Sequence, residues 1–269
     1  MADRWADGEA YERYIGRWSR IVARRFIEWL APQPGLSWHD VGSGTGALTA
    51  TILELAAPAS VVGVEPSEAF ADAARASVTD SRVLFLNGTA EQLPMERSSV
   101  DAAVSGLVMN FVPDINAALA EQIRVVRPGG WVAGYVWDYA DGMQLIRRFW
   151  DAAVALDPDA RRLDEGVRFP ITQSGPLEAA WQAAGLSDVM LIAIDVPTRF
   201  TDFDELWAPF ESGVGPAPAY AAALPPDHRT RLRDHLSRLV PAGPDGSITL
   251  NARAWAVRGV VTSGRNRSL

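Results

Sequence analysis

The sequence predicts an α/β protein whose mostly parallel sheet is covered by helices on both faces, and three observations carry that prediction. Short apolar runs alternate with segments of helical spacing from Leu36 to Trp137. A glycine-rich turn, Asp40-Val41-Gly42-Ser43-Gly44-Thr45-Gly46, stands where the first strand gives way to a helix, and Glu65 closes the second strand. Strands separated by helices of this length need right-handed crossovers, and a sheet built that way is buried on both sides.

Taken in order, Tyr11, Ile15, Trp18, Ile21, Val22, Phe26 and Trp29 recur at helical spacing, which predicts a leading helix ended by Pro32, Pro34 and Gly35. The next apolar runs are Leu36 to Val41, Val61 to Glu65, Val83 to Leu86, Val100 to Ser105 and Trp131 to Trp137, read as strands. Thr45 to Ala56, Ser67 to Ser77 and Ile115 to Val126 are the intervening helices. Pro176 to Ala184 adds a helix, and Val189 to Val196 and Ser247 to Val257 add two strands. Two stretches exceed a minimal alternating domain. Asp138 to Pro170 holds a helix at Gly142 to Ala155 and a charged segment; Thr198 to Gly246 holds two helices separated by a Gly/Pro/Ala-rich run, Ser212 to Pro226, that reads as a turn or linker.

The expected organisation is therefore an N-terminal helical segment over the ligand crevice (1–35), a core (36–137 and 171–197), lid insertions (138–170 and 198–246), and a last core strand with a frayed tail (247–269). A helical surface layer without a role at the crevice is the alternative reading of the insertions.

Composition narrows the chemistry. There is no cysteine and no lysine, so all 25 basic residues are arginine. Disulfides, thiolate metal sites, cysteine nucleophiles and Schiff bases are excluded together. A formal charge of −8, with arginines scattered in pairs, argues against nucleic acid as substrate. No apolar stretch approaches the roughly 18 residues of a membrane span, and acidic residues near the start (Asp3, Asp7, Glu9) do not resemble a signal peptide, so cytoplasmic residence is the expectation.

Glycines in the Asp40–Gly46 turn let the backbone turn tightly and bring a helix N-terminus close to a ligand. Gly42, Gly44 and Ala47 also fit a dinucleotide pattern, with Glu65 where a ribose-binding carboxylate belongs. A nucleoside-containing ligand is supported by either reading, with a tight strand-to-helix turn that holds no ligand as the alternative. Asp40, two residues before the first glycine, repels a pyrophosphate and suits an ammonium.

Over Trp38 to Tyr135 the motifs and their spacing resemble the class I S-adenosylmethionine-dependent methyltransferase family, especially the small-molecule group that includes the ubiquinone and menaquinone biosynthesis methyltransferases. The resemblance implies a Rossmann-like seven-stranded sheet of order 3-2-1-4-5-7-6, its last strand antiparallel. It implies S-adenosyl-L-methionine as donor, S-adenosyl-L-homocysteine as product and no metal. It places Gly42, Ser43 and Gly44 under the methionine portion, Asp40 toward its amino group, and Glu65 on both ribose hydroxyls. Pro66 or Ser67 lies against the adenine, in a pocket that Gly88, Thr89 and Ala90 complete. Ser105, Val108 and Asn110 come beside the sulfonium. Arg127-Pro128-Gly129-Gly130 matches the turn before the fifth strand. The family core joins its sixth and seventh strands by a short hairpin, whereas here 198–246 intervenes, so the substrate class does not carry over.

Methyl transfer is an in-line displacement that needs alignment and exclusion of water. Candidates for acceptor chemistry at the right sheet edge are Asn110, Asp138 and Tyr139, with solvated turn residues as the alternative. Trp137, Tyr139, Trp207 and Phe210 fall in or beside the insertions, which suggests an apolar or aromatic small-molecule acceptor; a hydrophobic seam explains the same rings. Tyr14, Arg17 and Trp18 share a helical face, and Arg17 and Tyr14 are candidates to cover the donor carboxylate. His39 is expected to be a packed, hydrogen-bonded core residue on the face opposite Asp40. His228 and His235 share a helical face and do not make a metal site by themselves. Two rival functions remain open on the sequence: a nicotinamide-dependent oxidoreductase, and a non-catalytic nucleoside-binding or regulatory protein.

Overall fold

The computed structural model describes residues 16–213 and 215–262. Seven strands form one sheet of order β3-β2-β1-β4-β5-β7-β6: β1 (Ser37–Val41), β2 (Ser60–Glu65), β3 (Val83–Asn87), β4 (Val100–Gly106), β5 (Val126–Trp137), β6 (Ser187–Phe200) and β7 (Ile248–Val260). Strands β1 to β5 pair in parallel. Gly129 N bonds Val261 O at one end of β5 and Asp138 N bonds Arg253 O at the other, so β7 runs antiparallel to it. This is the expected order and orientation.

The helices are α1 (Arg17–Leu30), α2 (Ala47–Leu55), α3 (Glu68–Ser77), α4 (Ile115–Val125), α5 (Gln144–Leu156), α6 (Glu165–Arg168), α7 (Ser174–Ala183), α8 (Phe203–Trp207), α9 (Pro216–Ala223) and α10 (Pro226–Leu239). Several starts are written in the sequence. Ser67 caps α3 by accepting from Phe70 N, and Asp114 caps α4 by accepting from Ala117 N. In α1 the stripe Trp18, Val22, Ala23, Phe26, Ile27 and Leu30 is buried, and Phe26 lies 4.8 Å from the ring of Tyr135.

Two local readings are corrected. Arg127-Pro128-Gly129-Gly130 is not a turn before β5 but a bulge within it: Val126 pairs with Val100, yet Trp131 already pairs with Ala102. Gly129 takes φ 85°, and a Cβ on Gly130 would stand 2.3 Å from Asp101 O. The Gly/Pro/Ala run is not all linker either, because Pro216 to Ala223 is α9. Proline in a first helical turn forfeits no hydrogen bond, and alanine favours the rest.

The chain divides into two compact units. Among the described residues, one, 22–136, 174–194 and 255–262, carries most of the sheet. The other, 16–21, 137–173, 195–213 and 215–254, is largely helical. The interior of the helical unit is aromatic: Phe149 stacks on Phe210 at 4.4 Å and meets Trp150 edge-on, while Tyr220 approaches both Phe149 and Trp150. Trp150 donates its indole N–H to the buried carboxyl of Glu165. Beside it Arg147 grips Asp164 through two bonds, at 2.7 and 3.1 Å.

Burial pushes Glu165 up to about 8, opposed by its hydrogen bonds, so it is largely neutral at pH 7. Because the folded state holds this proton more tightly, stability declines as pH rises from the ordinary carboxyl value of 4.5 through 8. Glu165→Gln keeps an acceptor for Trp150 and removes that penalty. The variant is expected to exceed the parent in stability by about 2–5 kcal/mol at pH 9 and to match it near pH 4, as denaturant titrations at the two pH values would measure.

Candidate functional site

The glycine turn leaves β1 and enters α2 through three left-handed glycines, Gly42, Gly44 and Gly46. It is tied to the end of β2, where Gly42 N and Ser43 N both donate to Val64 O at 2.8 and 3.0 Å. A Cβ on Gly42 would lie 2.5 Å from Val108 Cγ2, so Val108 rests directly on the turn. A Cβ on Gly44 would meet nothing within 4 Å. There the backbone borders open space.

Glu65 ends β2 with its carboxylate held in place: Oε2 accepts from Gly44 N and Oε1 from Ser67 N, each at 3.0 Å. A carboxylate has about four lone-pair sites, so about two remain for a ligand's hydroxyls. Gly88 N donates to Glu65 O at 3.3 Å, and Asn87 Nδ2 donates to Pro66 O at 3.2 Å, which brings the segment after β3 to the same place. Thr89 is exposed there, between the half-buried Gly88 and Ala90.

Asp40 is fully enclosed. Its Oδ2 accepts from Thr49 Oγ1 at 2.7 Å, so this oxygen is turned toward α2. Burial pushes it up to about 7, the Thr49 bonds oppose the shift, and the charge of Glu65 adds to it. Ser43 is buried beside it in sequence, its Oγ without a partner among the described residues.

The third contributor follows β4. Leu107 takes φ 60° and donates its N–H to Tyr135 O at 2.8 Å; Met109–Phe111 then form a single 3₁₀ turn. Ser105 Oγ and Asn110 Nδ2 are buried without a partner among the described residues. Buried polar atoms of this kind are uncommon away from places where a ligand or water meets them. The loops at 42–46, 65–67, 87–90 and 105–110 thus form one edge of the sheet, at the C-terminal ends of its parallel strands, where open α/β sheets bind ligands.

Comparison with known proteins agrees with this arrangement. Residues 39–134, which carry all four loops, match the family described as "Methyltransferase domain". The segment is a methyltransferase domain. The uncharacterized methyltransferase Rv3342 of Mycobacterium tuberculosis is 37% identical over 115 residues, covering 43% of this chain and 45% of that protein. The ubiquinone/menaquinone biosynthesis C-methyltransferase UbiE of Dinoroseobacter shibae is 34% identical over 115 residues, 41% of this chain and 46% of that protein. The matches span less than half the length of these relatives. The crystal structure of YcgJ from Bacillus subtilis superposes with a TM-score of 0.61 at 18% identity, covering 92% of this chain and all of that one. At this identity the likeness concerns the fold.

The remaining sequence candidates lie beyond the methyltransferase domain or deeper within it. Tyr14 is outside the described residues. Arg17 pairs with Glu205 at 3.0 Å and lies over the rings of Trp18 and Phe200. Trp137, Asp138, Tyr139, Trp207 and Phe210 are all buried in the helical unit. Phe210 is packed against Phe149, and Trp207 donates to Glu211 at 3.2 Å. Trp137 Nε1 has no partner among the described residues.

Asp138 is not the solvated alternative considered for it. Its Oδ1 accepts from Asp141 N at 3.2 Å, and burial raises its carboxyl above the ordinary value. His39 is enclosed as expected but not hydrogen-bonded: neither ring nitrogen has a partner among the described residues. Burial, with the charge of Arg124, pushes it down to about 4, so the ring is neutral. His228 is exposed, and His235 lies 3.4 Å from Arg238. Among the described residues no group of three or more His, Asp or Glu side chains is placed to hold a metal ion, and no helix is long and apolar enough to cross a membrane.

Sequence reasoning did not find Thr49, Leu107 or Tyr135 as supports of the site. Thr49 had a signal, a hydroxyl in the first turn after the glycines. Leu107 and Tyr135 had none, since their roles depend on the pairing of β4 with β5.

Proposed function

We propose that this chain transfers a methyl group from S-adenosyl-L-methionine to a small acceptor, apolar or aromatic in character. The observation that carries the reading is the held carboxylate of Glu65, which keeps lone pairs for two ribose hydroxyls at the rim of a glycine turn inside a methyltransferase domain. The unpartnered Ser105 Oγ and Asn110 Nδ2, and the open space at Gly44, suit the rest of such a ligand.

In this reading the backbone at Gly42, Ser43 and Gly44 cradles the methionine portion, and Pro66, Ser67, Gly88, Thr89 and Ala90 surround the adenine. Val108 and Asn110 flank the methyl group. The donor supplies an electrophilic methyl carbon: the acceptor's lone pair forms a bond to it as the carbon–sulfur bond breaks and S-adenosyl-L-homocysteine leaves. The protein aligns the three atoms and excludes water. Asp138, its proton held more tightly by burial, and Tyr139 are the proposed proton acceptors where the substrate needs one. Trp137, Trp207 and Phe210 are proposed to shape the choice of acceptor, with 138–170 and 198–246 as the segments that set it. These segments lie outside residues 39–134, so similarity to relatives named for ubiquinone and menaquinone biosynthesis supports the donor and leaves the acceptor to experiment. Transfer of a tritiated methyl group from labelled donor to a panel of phenols, quinols and amines tests the reading; labelling of none of them counts against it.

The nicotinamide reading has less support, because the carboxyl group of Asp40 adjoins the turn where a pyrophosphate would sit, and β7 lies antiparallel between β5 and β6. The pH dependence separates the two. Asp40 ionises around 7, and its charged form attracts an ammonium and repels a pyrophosphate. Affinity for S-adenosyl-L-homocysteine is therefore expected to rise by up to about tenfold between pH 6 and 8, in calorimetric titrations at the two values. A dinucleotide would show the opposite trend.

A further inference from the structure

Helix α4 turns an apolar stripe inward with one exception. Its buried residues are Ala118, Leu119, Gln122 and Val125, spaced along one face, and Gln122 is as fully enclosed as the others. The amide there is poorly rewarded. Nε2 donates to Met109 Sδ at 3.7 Å, a weak acceptor, and Oε1 has no partner among the described residues. A leucine would complete the stripe without stranding a polar atom.

What the amide reaches is the β4 loop. Met109, itself fully buried, opens the 3₁₀ turn. On one side of it Val108 rests on Gly42, and on the other is Asn110, whose Nδ2 has no partner among the described residues. Leu107, just before, is in the left-handed region that side chains resist. Such a loop keeps its shape only if held at both ends. Tyr135 O holds Leu107 N at the near end, and within the turn Phe111 N bonds Val108 O and Val112 N bonds Met109 O; the side-chain contact from outside the loop is Gln122 Nε2 to Met109 Sδ.

We propose that Gln122 is a positioning residue of the donor site: through Met109 it fixes the turn so that Val108 stays on Gly42 and Asn110 keeps its place. The inference rests on the donor reading above. It places a polar group in an apolar stripe for the sake of the ligand and at the expense of the ligand-free fold.

That trade gives a test with opposite signs. Gln122→Leu is expected to raise the melting temperature of the ligand-free protein by about 2–4 °C, and to weaken S-adenosyl-L-homocysteine binding about tenfold by calorimetry. Met109→Leu keeps the volume, removes the sulfur acceptor and is expected to weaken binding similarly. The double variant should be no worse than either alone, because both cut one connection. Unchanged affinity in Gln122→Leu and Met109→Leu, with the parent binding normally, overturns the inference alone. So does a fall in melting temperature in step with affinity, which is what a packing role predicts. A parent that binds neither adenosyl ligand removes the donor reading and this inference with it.

Discussion

Replacing Glu65 with alanine is expected to weaken binding of S-adenosyl-L-methionine and S-adenosyl-L-homocysteine by about 100- to 1,000-fold, the equivalent of about 3–4 kcal/mol. Two bonds to a ligand's hydroxyls are lost, and so is the anchor of the turn, since the same carboxylate receives Gly44 N and Ser67 N. Glu65→Gln separates these contributions. It retains one oxygen acceptor and much of the shape, so an intermediate loss of about tenfold is expected. Calorimetry on both variants, with the melting temperature checked beside it, makes the measurement; near-parent affinity in Glu65→Ala would remove Glu65 from the donor site.

Gly42→Ala is expected to damage both fold and binding. The added Cβ would stand 2.5 Å from Val108 Cγ2, at a residue whose φ is 70°. Conformational strain and overpacking together are expected to lower stability by about 2–4 kcal/mol. Displacing Val108 should also carry the 3₁₀ turn and Asn110 away from the turn. Gly44→Ala is the contrast. Its Cβ meets no protein atom, so stability should fall only by about 1 kcal/mol for the left-handed backbone, while a methyl group in the open space obstructs a ligand. Denaturant melts and donor titrations on the pair should therefore dissociate stability from affinity. Equal stability losses in both would contradict the packing described at Gly42.

Much of this arrangement was legible in the sequence because its signals are local. Asp40 to Gly46 announces a tight turn at a strand end, Glu65 marks the end of β2, and Ser67 and Asp114 are hydrogen-bonding residues where helices start. Strand order is not local, and it came from the resemblance. Where pairing across the sheet decides, local signals misled: Pro128-Gly129-Gly130 has turn chemistry, yet neighbours on both sides draw it into β5 as a bulge. Alternation along β1 placed His39 inside but could not tell that both ring nitrogens lack partners. Gln122 was equally illegible. Only the buried stripe of α4 and the position of Met109 reveal it as the one polar residue where an apolar one would fit.

The most direct test of the donor site is calorimetric titration of the unmodified protein with S-adenosyl-L-methionine, S-adenosyl-L-homocysteine and NAD at pH 8, above the value of about 7 to which burial pushes Asp40. Binding of both adenosyl ligands with dissociation constants in the micromolar range, and none of NAD, is the result expected from the Asp40 carboxylate beside a glycine turn. Binding of NAD alone, or of none of the three, would contradict it.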